Sequence, residues 1–304
     1  MYKTIAVSGL LGLLLSVGMG CATNPISGNN EMMFYSVEQD FKIGEKLAPE
    51  VEKFLDYPIE DPGLQRYIDR IGQRIAAVCH HPDWEYHFIA VEHASVNALA
   101  LPGGYVYITR GMLEKLENES QLAAILAHET THVVARHSMA QMSKQQIMQL
   151  ATLATLASGE APPEAGYLAL LTSQVMGLSY SREHEKQADL GGLRYMVEAG
   201  YDPNGMRDVM EILYKEHPGG KHYEFVSTHP HPENRLTYID ETIQRRYRAA
   251  QDPKVGEEAY RKTILDYLAS HKKPRIARKK RYSQRDAMLS IRSGSSGDPV
   301  RTER

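Results

Sequence analysis

The chain has 304 residues, 42% hydrophobic and 24% charged, a balance that excludes wholesale disorder and allows one large domain or two small ones. A net charge of −3 excludes a chain built as a whole to hold nucleic acid. That average hides an asymmetry: residues 272–304 carry eleven Lys and Arg against three Asp and Glu, about +8, leaving about −11 elsewhere.

Lys3, the apolar run Ile5–Leu15 and the short stretch ending at Cys21 read as an export signal over residues 1–20, too short for a stable membrane span. A cysteine directly after Gly20 resembles a bacterial lipoprotein cleavage site, although Gly18 and Met19 depart from the usual pattern. That resemblance makes Cys21 the lipidated mature N-terminus. Ala22, where inner-membrane retention would have Asp, favours the outer membrane. Plain secretion and cleavage is the alternative. The other cysteine, Cys79, follows an apolar run and is expected to pack as a small hydrophobe.

Residues 21–36 contain Pro, Gly and Asn without a period and read as a tether ending in a short extended piece. Ser36 and Gln39 form a capping-box pattern, so a helix starts at Val37. Leu64, Ile68, Ile71 and Ile75 recur at helical spacing. Trp84–Val91 and Tyr105–Thr109 are rich in aromatic and β-branched residues and read as strands, the second entered through Pro102, Gly103 and Gly104. A long helix is expected from about Ser120 into the 140s, ended by the Pro- and Gly-rich stretch Leu156–Gly166. A second helical run ends at Gly200, another follows a turn, and the Pro-punctuated stretch Ser227–Leu236 leads into a further helix. The whole reads as one mainly α domain with a small β-sheet (α+β) over residues 37–271, followed by a basic, disordered tail over 272–304.

The chemistry concentrates in "AILAHETTHVVARH", residues 124–137. On a helix His128 and His132, four apart, share one face and can bind one Zn²⁺. Glu129 is turned about 100° from His128 and is free to act as general base on the attacking water. The neighbouring Ala, Ile, Leu and Val imply a buried helix, where two His and a Glu without partners would be costly. A third ligand is expected downstream, where Glu183, His184, Glu185 and Asp189 are the candidates. Glu185 and Asp189 share a face, so one can ligate while the other holds a histidine's second nitrogen. His184 competes as ligand, and a solvated charged face is the further alternative.

"HETTH" followed by "SREHEKQAD" resembles the zinc endopeptidase family that includes the CAAX prenyl endopeptidase, HtpX-like peptidases and periplasmic peptidases of the BepA and LoiP type. "CATNPISG", "NALALPGGYVYITRGML" and "STHPHPENRL" extend the resemblance over roughly Cys21 to Tyr247. It implies a gluzincin-type zinc metallopeptidase domain with one Zn²⁺ per chain, held by His128, His132 and Glu185, and Glu129 as base. Asp189 matches a position that orients His128 or donates a proton. Gln187 departs from the family's usual Glu, at a position that is not a ligand. The resemblance makes Gly104, Tyr105, Val106 and Tyr107 an edge strand that pairs with extended substrate; an ordinary core strand is the alternative. It brings His229 near the metal, as oxyanion donor or resting cap, with Arg235 a loop anchor or anion donor. His80, His81 and His137 are expected to have no part in catalysis.

The expected function is a zinc-dependent endopeptidase of the bacterial envelope, acting on unfolded or misassembled envelope proteins and anchored to the membrane through Cys21. The alternative is an envelope chaperone or assembly factor whose peptidase site is gated, by His229 or by the 156–166 stretch.

Overall fold

The computed structural model describes residues 20–153, 172, 179–215, 229, 235–248 and 253–271. The export signal up to residue 19, the 156–166 stretch, most of 227–234 and the basic tail lie outside the described residues.

The chain opens with a hairpin, β1 (Cys21–Thr23) against β2 (Asn30–Met32), with Cys21 opposite Met32. This hairpin is packed into the domain: Asn24 and Glu31 reach the helix at 182–198, so residues 21–36 are folded structure. Helix α1 (Val37–Phe54) begins at the expected capping box, with the Ser36 hydroxyl accepting from the Gln39 amide and the Gln39 side chain from that of Ser36. Helix α2 (Pro62–Ala76) buries Leu64, Ile68, Ile71 and Ile75 on one face.

Strands β3 (His87–Val91), β4 (Ala98–Ala100) and β5 (Tyr105–Thr109) form one sheet in the order β3-β5-β4. β5 runs parallel to β3 and antiparallel to β4. This corrects the expectation of an edge strand at Gly104–Tyr107. Tyr107 bonds neighbours on both sides, opposite Ile89 and Leu99, so its backbone is already paired, and the edges belong to β3 and β4. The tight entry into β5 needs glycine. Gly103 and Gly104 have φ of 75° and 94°, and a Cβ at Gly104 would sit 2.0 Å from the Glu85 carbonyl oxygen.

A short helix, α3 (Arg110–Leu113), leads to α4 (Glu119–Val134), whose residues are buried all round. The expected single long helix is two. It breaks at Arg136, φ 55°, and α5 (His137–Leu153) leaves in a new direction. No Gly or Pro marks the break. Arg136 is held in this unusual conformation by Asp40 and by the Tyr35 carbonyl, 2.6 Å from its Nη2. Helix α6 (Arg182–Glu198) packs along α4, followed by α7 (Asn204–Lys215) and α8 (Arg235–Thr242), which runs on into a wider π-type turn (Ile243–Tyr247). Helices α9 (Glu257–Tyr260) and α10 (Asp266–Ser270) flank a second such turn.

The main core lies between α2, the sheet, α4, α6 and α7. Small residues set the closeness of α4 and α6: a Cβ on Gly192 would meet the His128 backbone nitrogen at 2.8 Å, and one on Gly191 the Thr131 side chain at 2.6 Å. Among the described residues no helix is long and apolar enough to cross a membrane.

Candidate metal centre

Helix α4 presents His128 and His132 one turn apart, with their Nε2 atoms 3.2 Å from each other. Across the glycine-thinned interface, α6 brings Glu185, whose Oε2 is 3.7 Å from His128 Nε2 and whose Oε1 is 3.6 Å from His132 Nε2. His229 completes the group, its Nδ1 3.0 Å from Glu185 Oε1 and 3.4 Å from His128 Nε2. One donor atom from each of the four lies within 4.8 Å of the others, and all four side chains are buried. Glu129 sits beside them, fully buried, its Oε1 3.5 Å from His229 Nε2 and no side chain hydrogen-bonded to either oxygen.

Asp189, one turn beyond Glu185, accepts from His128 Nδ1 at 3.0 Å. A carboxylate only accepts, so Nδ1 carries the proton and Nε2 turns a lone pair to the cluster. Arg235, on α8, grips Asp189 with Nε and Nη2 at 2.8 and 2.6 Å and reaches Glu185 Oε2 with Nη1 at 3.0 Å. The Tyr238 hydroxyl also donates to Asp189. Arg235 is thus an anchor between two carboxylates, the first of the two roles considered for it.

The electrostatics follow from burial. Burial works against ionised Asp189, but the Arg235 guanidinium outweighs it and holds the carboxyl below the usual range. Glu185 is likewise lowered: burial opposes, and His229 and Arg235 prevail. For Glu129 burial outweighs the pull of His128 and Arg235 and raises it to about 7, with the Glu185 charge adding to the rise. Burial, then the neighbouring His128, pushes His132 well below the ordinary histidine value, so its ring is neutral.

These residues fit a metal. Glu129, Glu185 and Asp189 are three buried acids, against one buried permanent cation in their midst, Arg235. Fully ionised they leave two negative charges uncompensated, which suits a divalent cation. Two imidazole nitrogens and a carboxylate oxygen are also the donor set that zinc prefers in sites that keep an open position.

His184, the competing donor, does not join the cluster. It faces away, its Nε2 3.6 Å from Glu31 Oε2 and its ring stacked on His137 at 4.2 Å. His80 pairs with the Tyr195 hydroxyl and His81 stacks on Trp84, both outside the cluster. Tyr105–Tyr107 lie in the central strand, with Gly104 in the turn that enters it, and the Tyr107 hydroxyl donates to Glu52 at 3.1 Å. Sequence reasoning missed Tyr180, whose ring stacks on His132 with centroids 3.9 Å apart and whose hydroxyl lies 2.9 Å from Ser138 Oγ. Its one sequence signal is its place just before Ser181, the cap of α6.

An α+β fold whose buried helix pair gathers histidines and a glutamate beside a second buried glutamate is the architecture of a metallopeptidase domain. Residues 62–243 match the family described as Peptidase family M48, and the chain belongs to that family. It is 35% identical over 188 residues to the "Putative beta-barrel assembly-enhancing protease" of Vibrio cholerae, covering 59% of this chain and 39% of that protein. It is 30% identical over 224 residues to the "Beta-barrel assembly-enhancing protease" of Escherichia coli, covering 70% and 46%. Against the "Mitochondrial metalloendopeptidase OMA1" of Schizosaccharomyces pombe it is 32% identical over 226 residues, covering 72% and 65%. The chain thus spans less than half the length of these two bacterial relatives.

Proposed function

We propose that the protein is a zinc-dependent endopeptidase of the bacterial cell envelope that hydrolyses unfolded or misassembled envelope proteins. The observation that carries this is a buried Glu129 with no side chain hydrogen-bonded to its oxygens, beside the donors His128, His132 and Glu185. A buried carboxylate that no side chain satisfies is costly as a structural element and useful as a base.

His128, His132 and Glu185 would hold the zinc, with Asp189 orienting His128. When bound, the metal supplies Lewis-acid polarisation of the scissile carbonyl and acidifies water. Glu129 takes a proton from the attacking water as its oxygen adds to the carbonyl carbon. The carbon–nitrogen bond breaks, and Glu129 passes that proton to the leaving amine. His229, 3.5 Å from Glu129, would donate to the developing oxyanion or cap the site at rest. Its 3.0 Å contact with Glu185 favours the cap, and with it a second reading in which the protein is an assembly factor with a gated peptidase.

The envelope setting is supported by the beta-barrel assembly in the printed names of the two bacterial relatives and by the signal-like composition of residues 1–20. Cys21, exposed at the head of β1, would carry the lipid of an outer-membrane anchor, within three residues of Asn24. Hydrolysis of casein by the purified protein, lost with a chelator and restored by zinc, tests the proposal. Activity unaffected by chelator, or none after zinc is restored, refutes it. Release of the Cys21→Ala variant from the membrane fraction tests the anchor.

A further inference from the structure

His137 is fully buried and stands outside the donor cluster, yet it lies directly behind His132. Its Nδ1 is 2.9 Å from His132 Nδ1, and its Nε2 is 3.0 Å from Gln187 Oε1. The same Gln187 oxygen accepts from Asn24 Nδ2 at 2.8 Å, across 163 residues of chain.

The chemistry of the partners fixes every direction in this chain. Gln187 Nε2 faces Glu183, a carboxylate, so the opposite atom is the amide oxygen. Asn24 Oδ1 accepts from the amides of Ile26 and Ser27, so its nitrogen is the atom turned to Gln187. An amide oxygen only accepts, so His137 Nε2 donates. In a singly protonated ring His137 Nδ1 is then bare and accepts from His132 Nδ1. His132 Nε2 is left with its lone pair directed at His128, Glu185 and His229. Reversing the Gln187–His137 or the His137–His132 bond would put a proton on the nitrogen that faces the donors.

We propose that His137 is a positioning residue for His132, itself held by Gln187 and Asn24, so that the N-terminal hairpin is a working part of the metal centre. The inference rests on the reading of His132 as a metal donor. It gives a reason for a polar residue at 187 whose side chain touches no donor. It also commits both His137 nitrogens, which leaves none for a second cation with the nearby Glu31 and His184.

The test is zinc affinity of the full-length protein, measured against a chromophoric chelator, together with zinc stoichiometry. His137→Leu is expected to weaken binding ~10–100-fold, the range for removing a partner that orients a metal-bound histidine. His137→Asn, whose Oδ1 can stand where Nδ1 accepts, is expected to recover most of that loss. Asn24→Ala, at the remote end of the chain of bonds, should show a smaller loss with the fold intact. Long-range ¹H–¹⁵N correlation spectra of zinc-loaded wild type and His137→Asn should show the His132 proton on Nδ1. Wild-type affinity in His137→Leu overturns the inference, as does an Asn variant as weak as the Leu variant. Two zinc ions per chain, one of them lost in His137→Leu, also overturns it, since His137 would then be a ligand. His132→Ala, measured alongside, separates the two readings: if it alone abolishes tight binding the donor reading survives, and if it keeps wild-type affinity both readings fall.

Discussion

Arg235→Met is the substitution with the most to say about how the site is held. The side chain is 2% exposed and places its guanidinium 2.6 and 2.8 Å from the two Asp189 oxygens and 3.0 Å from Glu185. Methionine fills much of the same volume, so the loss is mainly electrostatic. Breaking a buried ion pair from one side costs about 3–5 kcal/mol, because the other charge stays buried. Here one cation serves two carboxylates, which argues for the upper part of that range. At roughly 2–4 °C of Tm per kcal/mol for a domain of this size, the melting temperature should fall by about 6–20 °C. The pH dependence checks the cause. In the wild type Asp189 is lowered below its unfolded value, so its contribution is present above that value and lost as pH falls through the folded one. Without Arg235, burial dominates and raises the Asp189 pKa, so protonation relieves the penalty. The gap between variant and wild type should therefore narrow from pH 7.5 to pH 5. Urea unfolding of the chelator-treated proteins, followed by circular dichroism, measures it. A difference under about 1 kcal/mol, or a gap unchanged across that pH range, refutes the reasoning.

Glu129→Gln should keep its zinc and lose about 10²–10⁴-fold in casein turnover, the usual worth of a positioned base; metal analysis beside the assay decides. Glu185→Ala should lose tight zinc binding while His184→Ala keeps it, and the opposite order would show that the third donor is on the wrong side of α6. For His229→Ala the sign of the rate change is informative. Basal hydrolysis should rise if His229 caps the site, as its contact with Glu185 favours, and kcat should fall about 10²–10³-fold if it serves the oxyanion. An unchanged rate at unchanged zinc affinity would remove His229 from both roles.

Local features were legible in the sequence because short-range physics fixes them. Two histidines four apart on a helix must share a face, and the Ser36–Gln39 box and the spacing of Leu64, Ile68, Ile71 and Ile75 determine their helix starts and faces without help from the rest of the chain. What was not legible depends on contacts between distant segments. Nothing near Arg136 signals the break between α4 and α5; it exists because Asp40, 96 residues earlier, grips that arginine. The strand Tyr105–Thr109 was recognised, but its central place was not, because strand order is settled by where the short β4 returns. Residues 21–36 looked like a tether, since Asn24 and Glu31 find their partners, Gln187 and His184, on a helix far along the chain. His137 was dismissed for the same reason: its partners, His132 and Gln187, meet it only once α6 has packed against α4.

The price of assembling this site explains why so much of the fold is devoted to it. Three carboxylates and the rings of His128, His132, His137 and His229 are withdrawn from water around α4, and none of them could be buried alone without large cost. Gly191 and Gly192 let α6 approach closely enough for Glu185 and Asp189 to meet the histidines, and any side chain there would strike α4. That approach brings two negative charges to the face that already carries Glu129. Arg235 neutralises one and His229 hydrogen-bonds another, both from the late part of the chain. The charge still left over is centred where the donors converge, on Glu129 and Glu185. A fold meant only to be stable would replace these groups with apolar side chains of similar volume, which often costs nothing and can stabilise. Here the charges are retained, anchored from four separate segments, and left short of neutrality at one point. A divalent cation is the partner that suits such an arrangement, and its binding free energy would add to the stability of the folded chain because the unfolded chain has no such cluster to offer.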